Sequence, residues 1–278
     1  MLFPHQRVLM SLVVLVSVCV SLPTFAETKR QRRSATAPKK PSVKAPTPAP
    51  PVPLVFARGE RLAYTATLNE LPAGEGELSL RKEQDDGREV YRFTAQARSN
   101  ELVDYLYRRR DSAEATFTAA NYMPVFFRLR SKENERHREY GVQYDPRTQT
   151  LIGQVKRRDR VKERTLPAGT AHDPASALYL LRSQDFQPGT TLEAEVFTGR
   201  DHFRVRARVI GKERITLGTG QRQAIRLQPE VFSLDKASGD NLLPSETTLW
   251  VTADAAHTPL KIESYLPLGH VVVELTGQ

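Results

Sequence analysis

Tyr91-Arg92-Phe93-Thr94-Ala95-Gln96-Ala97-Arg98 alternates apolar and polar residues without a break. Successive side chains of an extended strand point to opposite faces. The period of two therefore puts Tyr91, Phe93, Ala95 and Ala97 on an apolar side and leaves the other side to water. The pattern recurs in both directions from this stretch. Leu62, Tyr64, Ala66 and Leu68 share a face, as do Tyr140, Val142 and Tyr144. Later come Leu192, Ala194 and Val196, then Phe203, Val205, Ala207 and Val209, and last Val271, Val273 and Leu275. Turn formers separate the runs: Asp85-Asp86-Gly87, Asp145-Pro146, Pro188-Gly189, Gly199-Arg200-Asp201, Gly218-Thr219-Gly220 and Pro267-Leu268-Gly269. Bounded this way, the chain reads as about a dozen strands of roughly 6 to 11 residues. One apolar and one polar face per strand means an antiparallel sheet covered on one side. The fold class expected is mainly β: a large curved antiparallel sheet, either an open half-barrel or a wide barrel.

One helix interrupts the strands. Asp173 is placed to cap it, Pro174 suits its first turn, and Ala177, Leu178 and Leu181 form an apolar stripe over 174–183. Arg182 near its end complements the helix dipole. A weaker helical turn is expected over Asn100 to Tyr107. The strong helix lies mid-chain, so it is expected to pack on the sheet or plug it. Its stripe is small beside so large a sheet, which predicts a partly open apolar cavity next to Leu178 and Leu181.

The 278 residues carry a formal charge of +9, and the location of that charge decides what it means. Residues 1–53 hold eight Lys and Arg against the single acid Glu27, which leaves only +2 for residues 54–278. A nucleic-acid-binding domain carries its basic excess on the folded surface, so that class is excluded. Along the strands the charges fall on outward positions. Arg128, Arg130 and Lys132 alternate, as do Lys156, Arg158 and Arg160, with Glu133, Glu135, Asp159 and Glu163 close by. Such ladders read as a solvated face with cross-strand ion pairs; an anion-binding patch is the sharper alternative, and edge protection is a further use.

The first 26 residues have the layout of a secretory signal. Arg7 precedes an apolar run from Val8 to Leu22, and Thr24-Phe25-Ala26 supplies the small residues of a cleavage site. The run is shorter than the ~20 residues a membrane span needs. The expectation is a periplasmic protein cleaved after Ala26, with an uncleaved inner-membrane anchor as the alternative. Cys19, the sole cysteine, would leave with the signal, and the mature chain would hold no thiol and no disulfide. Residues 27–53 interleave seven prolines with Ala, Thr and Lys, the composition of a disordered linker. Its cations would suit an anionic envelope surface. A single β-rich domain is expected over 54–278.

Catalytic patterns are missing from the sequence. His172, Asp173 and Ser176 crowd one helix start, where a hydrogen-bonded nucleophile–base–acid chain does not fit. No G-x-S-x-G elbow, P-loop or H-E-x-x-H occurs. Asp254 and His257 flank a turn without further ligands nearby. No catalytic residue, cofactor or metal is expected. Trp250, the only tryptophan, sits in the strand-like run Thr247-Thr248-Leu249-Trp250-Val251 and reads as a core position.

Three stretches carry a resemblance. Phe56-Ala57-Arg58-Gly59-Glu60-Arg61-Leu62-Ala63-Tyr64, followed by Ala73-Gly74, resembles the opening of an uncharacterised bacterial domain-of-unknown-function family of exported envelope proteins. Asp173-Pro174-Ala175-Ser176-Ala177-Leu178-Tyr179-Leu180-Leu181-Arg182 is similar to that family's middle, and Trp250, Asp254 and Pro259, with Gly269 after them, to its later part. The similarity spans 54–278 and implies a periplasmic or outer-membrane-associated β-protein, with Gly59, Glu60, Asp173 and Trp250 as structural positions. At the level of fold alone, a curved sheet with a helix resembles the lipoprotein carriers, an analogy that assigns no function.

Three functions are therefore in play. The first is a non-enzymatic envelope protein holding a lipid, lipoprotein acyl chain or partner peptide on its concave face, through Tyr64, Tyr91, Phe93, Tyr140, Phe203, Leu178 and Leu181. The second is a structural or assembly factor that uses its Pro/Lys arm. The third is a hydrolase, which would need a histidine, a carboxylate and a hydroxyl converging in a cleft. A filled core favours the second over the first.

Overall fold

A computed structural model describes residues 56–278 apart from 159, 170, 236–239, 245 and 268. The segments read as a signal and a linker, 1–26 and 27–53, lie outside the described residues. The first half of the chain forms β1 Glu60–Leu68, β2 Leu71–Asp85, β3 Arg88–Ser99, helix α1 Glu101–Tyr107, β4 Arg109–Thr118, β5 Pro124–Glu133, β6 Arg136–Asp145, β7 Thr150–Arg157 and β8 Arg160–Pro167. The second half forms β9 Ala171–His172, helix α2 Pro174–Arg182, β10 Thr191–Phe197, β11 His202–Leu217, β12 Gly220–Ser233, β13 Thr248–Thr252, β14 Pro259–Leu266 and β15 Gly269–Gly277.

All fifteen strands belong to one sheet, ordered β8-β7-β6-β5-β4-β3-β2-β1-β15-β14-β13-β12-β11-β10-β9. Every neighbouring pair is antiparallel except β9 with β10. The first described strand, β1, lies in the middle of the sheet; the strands after it work outward to the β8 edge, the chain reaches the β9 edge in a few residues, and the rest work back until β15 pairs with β1. The sheet is open, with β8 and β9 as its two edges. Mainly β, one large curved open sheet, is the class the alternation predicted.

More strands form than the dozen expected, and some are longer. β2, β11 and β12 run 15, 16 and 14 residues, longer than the roughly 6 to 11 expected. Gly74 and Gly76 pair within β2, and Gly211 marks a register shift within β11 that the strand survives. The two-residue β9 is too short to show any period. Both expected helices form, with Asp173 the N-cap as read; Asn100 proves to be the N-cap of α1.

Turns and loops of the far half of the sheet reach back to β6, β7 and β8. Gly141 of β6, Gly153 of β7 and Gly199 of the β10–β11 turn come together: a Cβ on Gly153 would meet the Phe197 ring and the Gly199 carbonyl oxygen, and one on Gly199 the Gly141 carbonyl oxygen. Backbone approach this close requires glycine. Beside it, Arg164 of β8 donates to both carboxylate oxygens of Asp235, at 2.6 and 2.8 Å, and to the Arg200 carbonyl at 3.0 Å. Edge strand β8 is otherwise mostly exposed and rich in charge, Arg160-Val161-Lys162-Glu163-Arg164, which suits an unpaired edge. Gly153→Val should therefore destabilise the protein by about 1–3 kcal/mol through overpacking. Gly169→Ala, where nothing lies within 4 Å, should be neutral, and urea midpoints of the two variants measure the difference.

Candidate functional site

The apolar face of the sheet is filled. Tyr179 projects from α2 into a cluster of rings: its centroid lies 5.0 Å from Phe56, 5.7 Å from Phe117 and 6.0 Å from Phe93, while Tyr91 stacks on Tyr122 at 6.1 Å. Of the residues expected to line a ligand groove, Tyr91, Phe93, Tyr140 and Leu178 belong to this cluster, with Tyr64 packed against it. Phe203 belongs to a neighbouring cluster with Ala177, Val196 and Val231, and half-buried Leu181 packs against that one. Tyr91, Phe93, Tyr140 and Phe203 are each no more than 3% exposed. These side chains pack on one another and on α2, which is how so small a stripe covers its part of the sheet.

Beneath the rings sits a buried junction. Arg182 donates from Nη1 to Glu60 Oε1 at 2.6 Å and from Nη2 to Glu60 Oε2 at 2.9 Å. The Tyr179 hydroxyl donates to Glu60 Oε1 at 2.6 Å, and Arg182 Nε donates to the Ala256 carbonyl at 3.1 Å. The guanidinium also lies 4.8 Å from the Phe56 ring centroid and 5.0 Å from that of Tyr179. Burial works against the Arg182 charge, but the Glu60 carboxylate outweighs it and raises the pKa; burial, then Glu60, pushes the Tyr179 hydroxyl well up. Tyr64 donates to the Pro259 carbonyl at 3.0 Å, and burial raises its pKa too.

The three stretches singled out in the sequence meet here. Gly59 has φ 71°, and a Cβ on it would stand 2.5 Å from the Leu80 carbonyl oxygen; this turn delivers Glu60. α2 brings Tyr179 and Arg182, and the turn after β13 brings Ala256, His257 and Thr258. Arg182, read from sequence as a dipole partner, is instead the carboxylate's buried counterion. Sequence reasoning missed it because helix periodicity does not tell which apolar-flanked arginine turns inward.

The candidate catalytic groups have structural tasks. Asp173 Oδ1 accepts from the Ala175 and Ser176 amides at 2.8 and 3.1 Å, and Ser176 Oγ donates to the Asp173 carbonyl. His257 Nδ1 lies 2.8 Å from the Arg182 carbonyl, its ring stacks on Phe186 at 3.7 Å, and burial lowers its pKa. Asp254 Oδ1 accepts from Thr252 and the Ala256 amide. The Trp250 indole donates to Glu213 at 2.5 Å, with the Lys261 ammonium 5.8 Å from its ring. Among the described residues no group of three or more His, Cys, Asp or Glu side chains could hold a metal ion.

A trough of about 1070 Å³ opens on the sheet, lined largely by polar and charged residues; of the residues expected to hold a ligand it includes Tyr64 but neither Leu178 nor Leu181. One cross-strand row of its lining is Glu77, Gln96, Ser112, Arg130, Glu139 and Lys156; the next is Glu75, Arg98, Arg110, Lys132 and His137. The lining carries seven Lys and Arg against four Asp and Glu. Arg98 pairs with Glu75, Arg110 with Asp104, and Arg130 with Glu139, whereas Lys132, Arg138, Lys156 and Arg158 make no ion pair among the described residues. The charge ladder thus combines surface ion pairs with uncompensated cations.

A model for a family described as a protein of unknown function, DUF3108, matches residues 63–276. Among solved structures, a beta-barrel-like protein of domain of unknown function DUF1849 from Brucella abortus is similar at a TM-score of 0.49 and 10% identity, over 79% of this chain and 96% of that one. No curated protein matches the chain.

Two stability predictions follow from the junction and the cap. Glu60→Gln or Arg182→Met, each of which strands a buried partner, should cost about 3–5 kcal/mol, and the double variant should recover part of it in a denaturant cycle. Burial raises the Asp173 pKa from 3.8 to about 6. A carboxyl with a raised folded-state pKa stabilises most below its unfolded value and loses that contribution as pH climbs through its folded value. Asp173→Asn should therefore abolish a fall in stability between pH 4 and 6 while keeping the cap, and Asp173→Ala should cost about 1 kcal/mol more. Melting curves across that range measure both.

Proposed function

The chain belongs to the DUF3108 family, whose function is unknown, and we propose that it is a non-enzymatic scaffold of the cell envelope that binds a phosphate-bearing polyanion along its polar trough. The observation that carries this reading is the set of cations, Lys132, Arg138, Lys156 and Arg158, which make no ion pair among the described residues around a concavity of about 1070 Å³. An exposed array of lysine and arginine with an open floor recognises phosphate oxygens through charge-assisted hydrogen bonds. The packed concave face supports the same reading, because an acyl chain entering there would have to displace rings already in contact with Tyr179. Structural tasks for Asp173, Asp254 and His257 support a protein without catalysis. The layout of residues 1–26 supports export to the periplasm, and the lysines of 27–53 a second contact with an anionic envelope surface.

The test uses two fluorescent probes, a phosphorylated oligosaccharide and a fatty acid. The phosphorylated probe should bind, lose affinity as salt rises, and bind at least about tenfold more weakly to Arg138→Glu/Lys156→Glu. The fatty-acyl probe should not bind the parent. If the acyl probe binds and Leu178→Trp abolishes it without unfolding the protein, the carrier reading replaces this one. Equal binding of the phosphorylated probe by parent and charge-reversed variant also overturns it.

A further inference from the structure

One end of the sheet gathers apolar side chains that none of the described residues covers. In α1, Leu102, Tyr105 and Leu106 are 65%, 92% and 84% exposed, and none of the helix's residues is buried. Their i, i+3, i+4 spacing aligns them on one side, while Asp104 turns back to Ser99 and Arg110. The β1–β2 turn lies at the same end, since the Asn100 side chain donates to the Pro72 carbonyl; it exposes Leu71. So does the β14–β15 turn, joined to Asn69 through His270, and it exposes Tyr265. Val161, exposed near the β7–β8 tip, completes the set. Of nine exposed large hydrophobic residues among those described, these six share one end.

Cations stand at one flank of them. At the β7–β8 tip Arg157 stands directly opposite Arg160, and Lys156 and Lys162 flank the pair, none of the four in an ion pair among the described residues. Like charges set across a strand pair repel, and an anionic surface relieves that repulsion. The apolar groups come from separate strand ends and a protruding helix, so they form a crown of prongs and not a groove. Apolar prongs flanked by a cationic hairpin tip match the chemistry of a bilayer interface, with apolar tips below the head groups and cations among the phosphates.

We propose that this end of the protein docks on an anionic lipid surface, with α1 lying in the interface and the β7–β8 tip on the head groups. The docking rests on α1 and the hairpin tip, whatever the trough binds.

Flotation of the purified full chain with phosphatidylcholine vesicles, with and without phosphatidylglycerol, tests it. The parent should float with the anionic vesicles only, and less at high salt. Leu102→Asp/Leu106→Asp and Arg157→Glu/Arg160→Glu should each lose about tenfold in vesicle affinity with unchanged circular dichroism, and Ile210→Asp, on an exposed strand position elsewhere, should not. Equal flotation of parent and variants places the contact outside this end, for instance in residues 8–22, and overturns the proposal. Self-association sensitive to Leu102→Asp/Leu106→Asp, with no vesicle binding, overturns it in favour of a second copy of the chain.

Discussion

The Glu60–Arg182 pair fixes the relation between the two halves of the molecule. Glu60 opens the strand at the centre of the sheet, and Arg182 closes the helix that follows the sheet's edge. Their bond spans 122 residues of sequence and pulls the edge onto the centre. A buried pair of this kind contributes little net stability, because desolvating both charges offsets most of their attraction. What it supplies is position. With the guanidinium held by the carboxylate, the Ala256 carbonyl and two aromatic faces, α2 has one seat, and Tyr179 is set among the rings of Phe56, Phe93 and Phe117.

From that seat follows the division between the faces. One face is occupied by aromatic packing, and the sheet curls around it so that the β10–β11 turn meets β6 and β7 across three glycines and Arg164 of β8 meets Asp235. The other face, curved by the same twist, keeps its charges and forms the trough. Surface pairs such as Arg130–Glu139 contribute little each, so the trough owes its shape to the backbone beneath and not to its ion pairs.

Much of this was legible in the sequence, and the limits have physical causes. The alternation at Tyr91 to Ala97 reports burial directly, since a strand has only two faces, so the sheet and its apolar side could be read. Capping by Asp173 made α2 legible. Strand length was less so: β11 continues past the register shift at Gly211 in pairing with β12, a partner the local sequence does not report. The fate of Tyr91 and Phe93 was also out of reach. Periodicity places them on the inner face, but whether that face is open or filled depends on where α2 lands, a contact between residues far apart in sequence. The same holds for the trough, whose cations alternate like any solvated ladder and become a concavity only when six strands align.

The pairing of β15 with β1 sets a condition on the order of events as the polypeptide is made. Thr276 bonds the Ala63 carbonyl across 213 residues, so one side of β1 stays without its neighbour until the last described strand has emerged. An unpaired central strand is a template for intermolecular pairing, and its exposure lasts in proportion to the chain still to come. Nucleation from the N-terminal strands alone leaves Tyr64 without the Pro259 carbonyl and Glu60 without Arg182. The meander β1–β8 can zip early, each strand onto the one before, yet its inner face stays uncovered until α2 arrives. Completion is therefore a late, long-range event, the kind of closure that makes β-proteins slow to fold and dependent on protection until the final strand is in place.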